Sequence, residues 1–377
     1  MSAPFDSLNT PAAIIDVARM QRNIARMQAQ ANKLGVRLRP HVKTSKCLPV
    51  VQAQIAAGAS GITVSTLKEA EVFFAGGITD ILYAVAMAPT KLHQAWELRR
   101  RGCSLKIITD SVVGAQAIMD FARSHRASFE VYIEIDSDHH RSGVRSDDPV
   151  LIDIATVLQG GGVTLLGVMT HAGESYKLDT PQALQALAEV ERHECVAAAQ
   201  AIRAVGLPCP EVSVGSTPTA LSATDLSGVT ELRAGVYVFF DLVMHNIGVC
   251  AIADLALSVL TTVIGHQPEK GWIITDSGWM AMSRDRGTQS QARDFGYGQV
   301  CTAEGTPIDG LLLRSANQEH GVAAFDPVEC DVVERYPIGT RLRILPNHAC
   351  ATGAQFPGYD ALTEEGSLEQ WGRLHGW

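Results

Sequence analysis

The chain has 377 residues, 46% of them hydrophobic, and a formal net charge of −9 at pH 7, which suffices for a large core and two domains. The acidic balance disfavours nucleic acid or an anionic membrane as a partner, and no apolar run approaches the roughly 20 residues of a membrane span. The eight cysteines are scattered and the N-terminus lacks a signal-peptide pattern, so we expect a reduced, cytoplasmic protein.

Eight short apolar strands alternate with amphipathic helical stretches in the first two thirds of the chain. This alternation predicts a parallel sheet with helical crossovers, and eight such units match the size of an α/β (β/α)8 barrel, or TIM barrel. A doubly wound open sheet is the alternative, although no GxGxxG motif follows the first strand. The predicted strands are VRLRPH (36–41), GITVS (61–65), DILYAV (80–85), SLKIIT (104–109), FEVYIEI (129–135), VTLLGVM (163–169), EVSVG (211–215) and ELRAGVYVF (231–239).

The pattern changes after about residue 245. Helical periodicity gives way to short strand-like segments separated by turns rich in Gly, Pro and Asp, as in FGYGQVCTAEGTPIDGLLLRSA. Such a sequence pattern is typical of a β domain. We therefore predict a barrel over residues 13–245 and a C-terminal, mostly β domain over residues 246–377.

Polar and ionisable residues accumulate where several predicted strands end. The first strand runs into His41-Val-Lys43, and later strands are followed by residues 136–143, 170–176 and 215–219. In a barrel the reactive residues lie at the carboxyl ends of the strands. This distribution favours an enzyme.

The stretch GSTPT after the seventh strand offers small hydroxyls and backbone N–H groups at a turn. Gly215, Ser216 and Thr217 suit a phosphate monoester, with Gly235 and Tyr237 of the next strand completing the cup. An ordinary Ser/Thr turn explains the same residues equally well. Together with a strand-end lysine, however, a phosphate cup suggests pyridoxal 5′-phosphate, which needs an amine for its aldehyde and an anion site for its tail.

Two lysines stand at the end of the first strand, in RPHVKTSK. Because alternate residues of a strand share a face, Arg39, His41 and Lys43 are predicted to point the same way. Lys43 is then the first residue past the strand end on that face, whereas Lys46 lies a turn later and is expected to be a solvated charge. On the residues alone, a surface salt bridge remains the simpler explanation of Lys43.

A second candidate site is the segment PNHACATG. His348 and Cys350 follow a predicted strand, and an i, i+2 pair on extended backbone would share one side. Imidazole plus thiolate suits Zn²⁺ or another divalent metal. A buried histidine beside a core cysteine is the simpler alternative for so short a pattern. Glu319 and His320 form a further polar pair in the β domain.

In their order and spacing, these motifs resemble the D-threonine aldolase and D-serine dehydratase family of fold-type III pyridoxal phosphate enzymes, relatives of alanine racemase. The resemblance covers nearly the whole chain and rests on TPAAIID, RPHVKTSK, ITVSTLKEAE, EIDSDHHRSGV, THAGESY, SVGSTPT, ELRAGVYVFFD, NQEHG and PNHACATG. It implies an alanine racemase-like barrel and a C-terminal β domain with which residues 1–12 pack, and it makes a homodimer the expected assembly.

The same resemblance implies roles for individual residues. It attaches pyridoxal phosphate to Lys43 and a divalent metal (Mn, Co or Zn, or else Mg) to His348 and Cys350. The phosphate end would meet the cup residues Gly215, Ser216, Thr217, Gly235 and Tyr237. Arg141 and Tyr176 lie in motifs that approach the cofactor ring or the substrate in relatives.

The expected activity is that of a carbon–oxygen lyase acting on a D-3-hydroxy amino acid. In the resemblance, the aldolase branch has an HxD metal pair and the dehydratase branch has an HxC pair, so Cys350 favours dehydration. Dehydration of 3-hydroxyaspartate would give oxaloacetate and ammonia. D-serine dehydration, aldol cleavage to glycine and an aldehyde, and non-catalytic binding of pyridoxal phosphate are the alternatives. A second substrate carboxylate would need an arginine, for which Arg141, Arg284 and Arg286 are candidates.

Overall fold

The computed structural model describes residues 5–139, 141–328 and 331–377. His140, in the EIDSDHHRSGV motif, lies outside these ranges. The chain divides into two compact units: a barrel unit, Ala25–Gly235 with the last two residues, and a β unit, which combines the described residues up to Ile24 with Val236–His375. Strand β1 (Ala12–Asp16) belongs to the β unit, and helix α1 (Val17–Lys33) continues from one unit into the other.

The barrel unit contains an eight-stranded sheet in which every pair of neighbouring strands is parallel. A parallel bridge between His41 and Thr63 joins the two ends of the sheet, so the barrel closes as predicted. Leu82, Ile108 and Tyr132, from successive strands, form one of its buried clusters. The strands are β2 (Arg37–Leu38), β3 (Ile62–Val64), β4 (Asp80–Ala86), β5 (Ser104–Thr109), β6 (Phe129–Ile135), β7 (Val163–Thr170), β8 (Glu211–Val214) and β9 (Glu231–Leu232).

Helices connect successive barrel strands, and several begin at a hydroxyl residue that accepts a backbone hydrogen bond from the first turn. Thr66, Ser111, Thr180 and Ser216 cap four of them in this way, which satisfies N–H groups that a helix leaves unbonded. The helices are α2 (Leu48–Ala56), α3 (Leu67–Ala75), α4 (Leu92–Arg100), α5 (Val112–His125), α6 (Val150–Val157), α7 (Pro181–Ala204) and α8 (Thr217–Ser222).

The β unit is built on a nine-stranded sheet. Six strands close on themselves through the pairing of β11 with β10, and β1, β16 and β17 extend the sheet beyond β10. Phe5, Ala12, Ile14 and Leu260 form one of its buried clusters. Its further elements are α9 (Leu242–Asn246), β10 (Leu257–Gln267), β11 (Trp272–Thr275), α10 (Trp279–Met282), β12 (Gly298–Thr302), β13 (Pro307–Ala316), β14 (Gly321–Phe325), α11 (Val332–Arg335), β15 (Arg341–Pro346), α12 (Ala349–Gly353), β16 (Gly358–Leu362) and β17 (Leu368–Gly372).

The observed elements differ from the predictions mainly at the two ends of the barrel sheet. The strand predicted over 231–239 stops at Leu232, and a 3₁₀ turn (Val236–Val238) replaces its second half. The compact units change at residues 24/25 and 235/236, whereas the sequence pattern suggested 12/13 and 245/246. The pairing of β1 with β10 and β16 explains why the first residues group with the β unit. Within the described residues, no helix has the length and apolarity needed to cross a membrane.

Candidate active site and metal centre

Lys43 lies in the turn that follows β2, at the carboxyl end of the barrel. The extended pairing of β2 continues past its last assigned residue, because His41 N–H donates to Ala234 O (2.8 Å) and Val42 N–H to Thr63 O (2.9 Å). The backbone N–H of Lys43 then faces Nδ1 of His41 at 3.4 Å. The predicted strand-end position of Lys43 therefore matches the local geometry.

Two imidazoles, those of His41 and His171, share the surroundings of Lys43. Burial, followed by the positive charge of Lys43, lowers the pKa of His171 to about 3 and holds that of His41 well below its ordinary value. Arg141 and Arg233 add to both effects. Both rings are therefore neutral at pH 7, and three cationic side chains, Lys43, Arg141 and Arg233, act on both.

Lys46 has a different environment from Lys43. Its Nζ lies 3.0 Å from Oε1 of Glu69, whose side chain is fully buried, while the side chain of Lys46 is only 18% exposed. The expectation of a solvated charge is wrong, because the carboxylate at the start of α3 requires a cation. Lys46 is a structural ion-pair partner.

A buried polar chain crosses the barrel interior beneath this cluster. Arg39 Nε donates to Glu231 (2.8 Å), Ser213 Oγ donates to the other oxygen of Glu231 (2.8 Å), and Arg233 Nε donates to Ser213 Oγ (2.9 Å). Arg233 also donates to Thr170 O at the end of β7. Such a network fixes the guanidinium of Arg233, whose charge acts on both imidazoles.

The GSTPT turn is more fully hydrogen-bonded than the sequence suggested. The N–H of Gly215 donates to Glu191 Oε1 (2.9 Å) and that of Ser216 donates to Thr219 Oγ1 (3.1 Å). The sequence predicted that these N–H groups would be available to a ligand, and both are instead bonded within the protein. Gly215 has φ of +136°, and a Cβ there would lie 1.9 Å from Arg233 O. Glycine is therefore required at this position.

The other predicted cofactor residues fall in several places. A Cβ on Gly235 would lie 3.0 Å from His41 O, so the backbone at Gly235 packs closely against the segment that carries His41. Tyr176 lies in the 3₁₀ turn Gly173–Lys177, with its ring centroid 6.2 Å from that of His171. Arg141 is exposed. Tyr237 is fully buried in the 3₁₀ turn Val236–Val238, within the β unit.

The barrel residues fit pyridoxal phosphate. Lys43 supplies an amine, and the positive charges of Arg141 and Arg233 beside it suit a phosphate dianion. The side-chain oxygen of Thr63, the middle residue of β3, is buried without a hydrogen-bond partner among the described residues. A polar group of a bound cofactor would satisfy such an atom.

His348 and Cys350 meet at the start of a short helix, whereas the sequence predicted that they would share one side of an extended segment. His348 is the extended residue that precedes α12, and Cys350 lies in its first turn. The two side chains are hydrogen-bonded to each other. The turn at the start of the helix brings them together, not the alternation of a strand. Nδ1 of His348 lies 2.6 Å from Oδ2 of Asp285.

The surroundings of His348 are acidic. Burial acts to lower its pKa, but Cys350, Asp285 and Asp241 outweigh burial and raise that pKa to about 11. Asp241 is itself buried and accepts the N–H groups of Met244 (3.0 Å) and Ala349 (2.9 Å), so it anchors the start of α9 and of α12. Negative groups around one imidazole are an environment that a divalent cation would neutralise.

The donor set fits a metal with two protein ligands. Among the residues that the structure describes, no group of three His, Cys, Asp or Glu side chains is arranged to bind a metal ion. With His348 and Cys350 as ligands, the remaining positions stay open, as in catalytic sites. Asp285 would orient the imidazole through Nδ1, the usual arrangement behind a metal-bound histidine.

The remaining candidates have partners of their own or are exposed. Arg286 donates to Asp294 (2.7 Å), and Arg284 stacks over Trp279. Glu319 and His320 are exposed between β13 and β14.

Sequence reasoning gave no role to Glu191 or Asp285. Asp285 lies within MSRDRG, between the arginines that are candidates for a substrate carboxylate. For Glu191 a signal was present, because this acidic residue lies on the helical stripe Leu184, Ala188, Glu191, Cys195 and Ala198, whose other members are apolar.

Comparison with known families gives two matches in chain order. The alanine racemase N-terminal domain matches residues 15–243, and the putative serine dehydratase domain matches residues 256–361.

Three curated proteins illustrate the range of relatives. D-threo-3-hydroxyaspartate dehydratase of Delftia sp. (strain HT23) is 68% identical over 98% of each chain. D-serine dehydratase of Dictyostelium discoideum is 29% identical over 97% of this chain and 96% of its own. D-threonine aldolase of Arthrobacter sp. is 28% identical over 93% of this chain and 88% of its own.

Solved structures agree with these matches. The Delftia dehydratase superposes with a TM-score of 0.98 at 67% identity, with full coverage of both chains. A histidine-to-alanine variant of D-threo-3-hydroxyaspartate dehydratase and a cysteine-to-alanine variant in the metal-free form superpose with a TM-score of 0.97 each at 68% identity, covering 98% of this chain and 96% and 99% of theirs. The two substituted positions are two residues apart, which is the spacing of His348 and Cys350.

Proposed function

The chain belongs to the family defined by the alanine racemase N-terminal domain, in the branch that also carries a serine dehydratase domain, and we propose that it dehydrates D-threo-3-hydroxyaspartate to oxaloacetate and ammonia. It is a lyase of the pyridoxal phosphate-dependent type. The observation that carries the proposed substrate is the 68% identity to the Delftia dehydratase over 98% of both chains.

In this proposal Lys43 binds the cofactor and moves the α-proton. Pyridoxal phosphate, when bound, supplies a sink for the electron pair that remains at Cα. Lys43 Nζ, in its uncharged form, would accept the proton from Cα, because the neighbouring imidazoles of His41 and His171 have a pKa too low to compete for it. Arg141 and Arg233 supply positive charge for the anionic groups of cofactor and substrate.

The proposed phosphate end of the cofactor lies against the turn that carries Gly215, Ser216 and Thr217, beside Gly235, with Tyr237 assigned to the same end. Because the N–H groups of Gly215 and Ser216 are hydrogen-bonded within the protein, and the Ser216 hydroxyl caps α8 and lies 2.9 Å from Ser175 Oγ, we assign direct phosphate contact chiefly to Thr217. Tyr176, near His171, is proposed to face the cofactor ring.

We further propose that His348 and Cys350 hold a divalent metal. Such a metal, when bound, acts as a Lewis acid that assists departure of the β-hydroxyl. Asp285 holds the His348 ring, and Asp241 fixes the backbone at Ala349. The paired histidine and cysteine variants of D-threo-3-hydroxyaspartate dehydratase, one of them metal-free, support this assignment.

The second carboxylate of the substrate needs a cationic partner, and Arg141 suits it best among the predicted arginines. Arg286 is engaged by Asp294 and Arg284 stacks on Trp279, whereas Arg141 is exposed and acts on the imidazoles beside Lys43. Replacement of Arg141 by Met is expected to raise KM for 3-hydroxyaspartate more than for D-serine, because D-serine lacks the second carboxylate.

Product analysis separates dehydration from aldol cleavage. Purified protein loaded with pyridoxal phosphate and Mn²⁺, Co²⁺ or Zn²⁺ is incubated with D-threo-3-hydroxyaspartate, D-serine and D-threonine. We expect ammonia and oxaloacetate from the first substrate at the highest kcat/KM. Release of glycine without ammonia would refute the proposal in favour of the aldolase activity found among the relatives.

Two properties of the whole protein remain part of the proposal: a cytoplasmic location and a homodimeric state. None of the seven cysteines in the described ranges forms a disulfide, which is consistent with a reducing compartment. Sedimentation equilibrium of the purified chain tests the dimer, and a mass of one chain at micromolar concentration would refute it.

A further inference from the structure

Glu191 is a buried acid whose carboxylate binds backbone N–H groups of the active-site loops. It lies on α7, where it is 2% exposed. Its Oε1 accepts the N–H of Ala172 at 3.1 Å and the N–H of Gly215 at 2.9 Å. Its carboxylate also bonds the side chain of Thr219. One helical side chain thus holds three points of the barrel rim.

The two N–H groups belong to loops that follow neighbouring strands. Ala172 follows β7 and is adjacent to His171, and Gly215 follows β8 and begins the GSTPT turn. The loops are joined a second time, because Nδ1 of His171 lies 3.1 Å from Gly215 O. A third link joins Ser175 Oγ and Ser216 Oγ at 2.9 Å. Glu191 is therefore the common anchor of two directly linked loops.

The anchor acts where the backbone has little freedom of its own. Gly215 has φ of +136° and its Cα approaches Arg233 O so closely that a Cβ would lie 1.9 Å from that oxygen. An unusual backbone conformation persists only where its surroundings determine it. The bond from Gly215 N–H to Glu191 fixes the peptide between Val214 and Gly215, directly before Ser216 and Thr217.

We propose that Glu191 is a positioning residue for the phosphate end of the cofactor: its carboxylate holds the Gly215–Thr217 turn in the conformation that receives the phosphate. This inference rests on the proposed function, which assigns that turn to pyridoxal phosphate. Glu191 does not touch the cofactor in this scheme. It acts through the backbone of Gly215 and through Thr219.

The test compares two ligands that differ only in the phosphate. Apoprotein is titrated with pyridoxal 5′-phosphate and with pyridoxal, and Kd is obtained from the absorbance change. Glu191→Ala removes both backbone hydrogen bonds, so we expect Kd for pyridoxal phosphate to rise about tenfold or more, which corresponds to the loss of one or two charge-assisted hydrogen bonds. Kd for pyridoxal should change by less than about twofold, a small fraction of that effect.

Two variants serve as rescue and control. Glu191→Gln keeps an acceptor oxygen and is expected to bind pyridoxal phosphate within about threefold of wild type. Glu194→Ala removes a carboxylate from the same helix that bonds Ser146 instead, and it should leave both Kd values unchanged. Glu191→Asp, which withdraws the carboxylate by one methylene, provides a second loss variant whose loss of affinity should again be confined to pyridoxal phosphate.

Each outcome bears on the inference. Wild-type affinity for pyridoxal phosphate in both Glu191→Ala and Glu191→Asp would overturn it, and so would an equal loss for the two ligands, which signals general loosening of the barrel. If Glu191→Ala does not fold, Glu191→Asp alone decides, by the change in Kd for pyridoxal phosphate relative to the change in Kd for pyridoxal. A wild-type chain that binds pyridoxal phosphate no better than pyridoxal would instead overturn the assignment of the phosphate site, and the inference with it.

Discussion

Replacing each lysine of the strand-end turn by methionine separates cofactor attachment from fold stability. Methionine keeps most of the hydrocarbon stem and removes only the charge. Lys46→Met leaves Glu69 buried without its cation, and breaking a fully buried pair costs ~3–5 kcal/mol. The side chain of Lys46 is 18% exposed and Glu69 keeps the N–H of Ser65 at 3.1 Å. We therefore expect a loss of about 1–3 kcal/mol.

Lys43→Met should have the opposite pattern. It removes a charge that lies among Arg141, Arg233 and two imidazoles, so the stability of the apoprotein should change by less than about 1 kcal/mol. Covalent attachment of pyridoxal phosphate, followed by its absorbance and by reduction with borohydride, should be lost in Lys43→Met and kept in Lys46→Met.

Urea unfolding of the apoproteins measures the stability changes, and a double mutant provides the control. In Lys46→Met/Glu69→Gln both charges of the pair are removed, so at least half of the lost stability should return. Attached cofactor in Lys43→Met together with its loss in Lys46→Met would refute the assignment of the two lysines. An unchanged urea midpoint in Lys46→Met would refute the role of the ion pair.

Three further outcomes are expected. Gly215→Ala should lose more than about 3 kcal/mol because its Cβ would meet Arg233 O at 1.9 Å, whereas Gly206→Ala, with open space and φ of +81°, should lose about 1 kcal/mol; equal losses in urea unfolding would contradict the clash. Burial raises the pKa of Glu191 to about 7 from its ordinary 4.5. The folded state therefore binds the proton more tightly, and wild-type apoprotein should lose up to ~3 kcal/mol relative to Glu191→Gln as pH rises from 4.5 to 7; a pH-independent difference in urea unfolding would contradict this. Chelation by EDTA should stop ammonia release but leave pyridoxal phosphate attached, and His348→Ala should behave alike without EDTA; continued ammonia release after chelation would contradict the metal role.

The chain itself predicted the architecture and the position of the lysine proposed to bind the cofactor. Eight apolar strands alternating with helices predict a parallel sheet buried on both faces, and their number matches a barrel, whereas closure is seen in the bridge between His41 and Thr63. Within RPHVKTSK, the strand period and the rule that barrel chemistry lies at carboxyl ends selected Lys43 over Lys46. The residues suggested a phosphate-bearing cofactor and a metal pair beside simpler alternatives, and the resemblance of the motifs to a known family favoured the cofactor and the metal.

Only the tertiary structure decided how these residues are held. Lys46 turned out to be an ion-pair partner because Glu69, 23 residues later, reaches it through the fold. Glu191 and Asp285 acquire their roles from groups that are distant in sequence, such as Gly215 and His348. Local patterns record which face of a helix or strand a residue occupies, but a hydrogen bond between two loops depends on how the strands pack. For that reason the sequence located the strand ends, and the fold showed which backbone groups there already have partners.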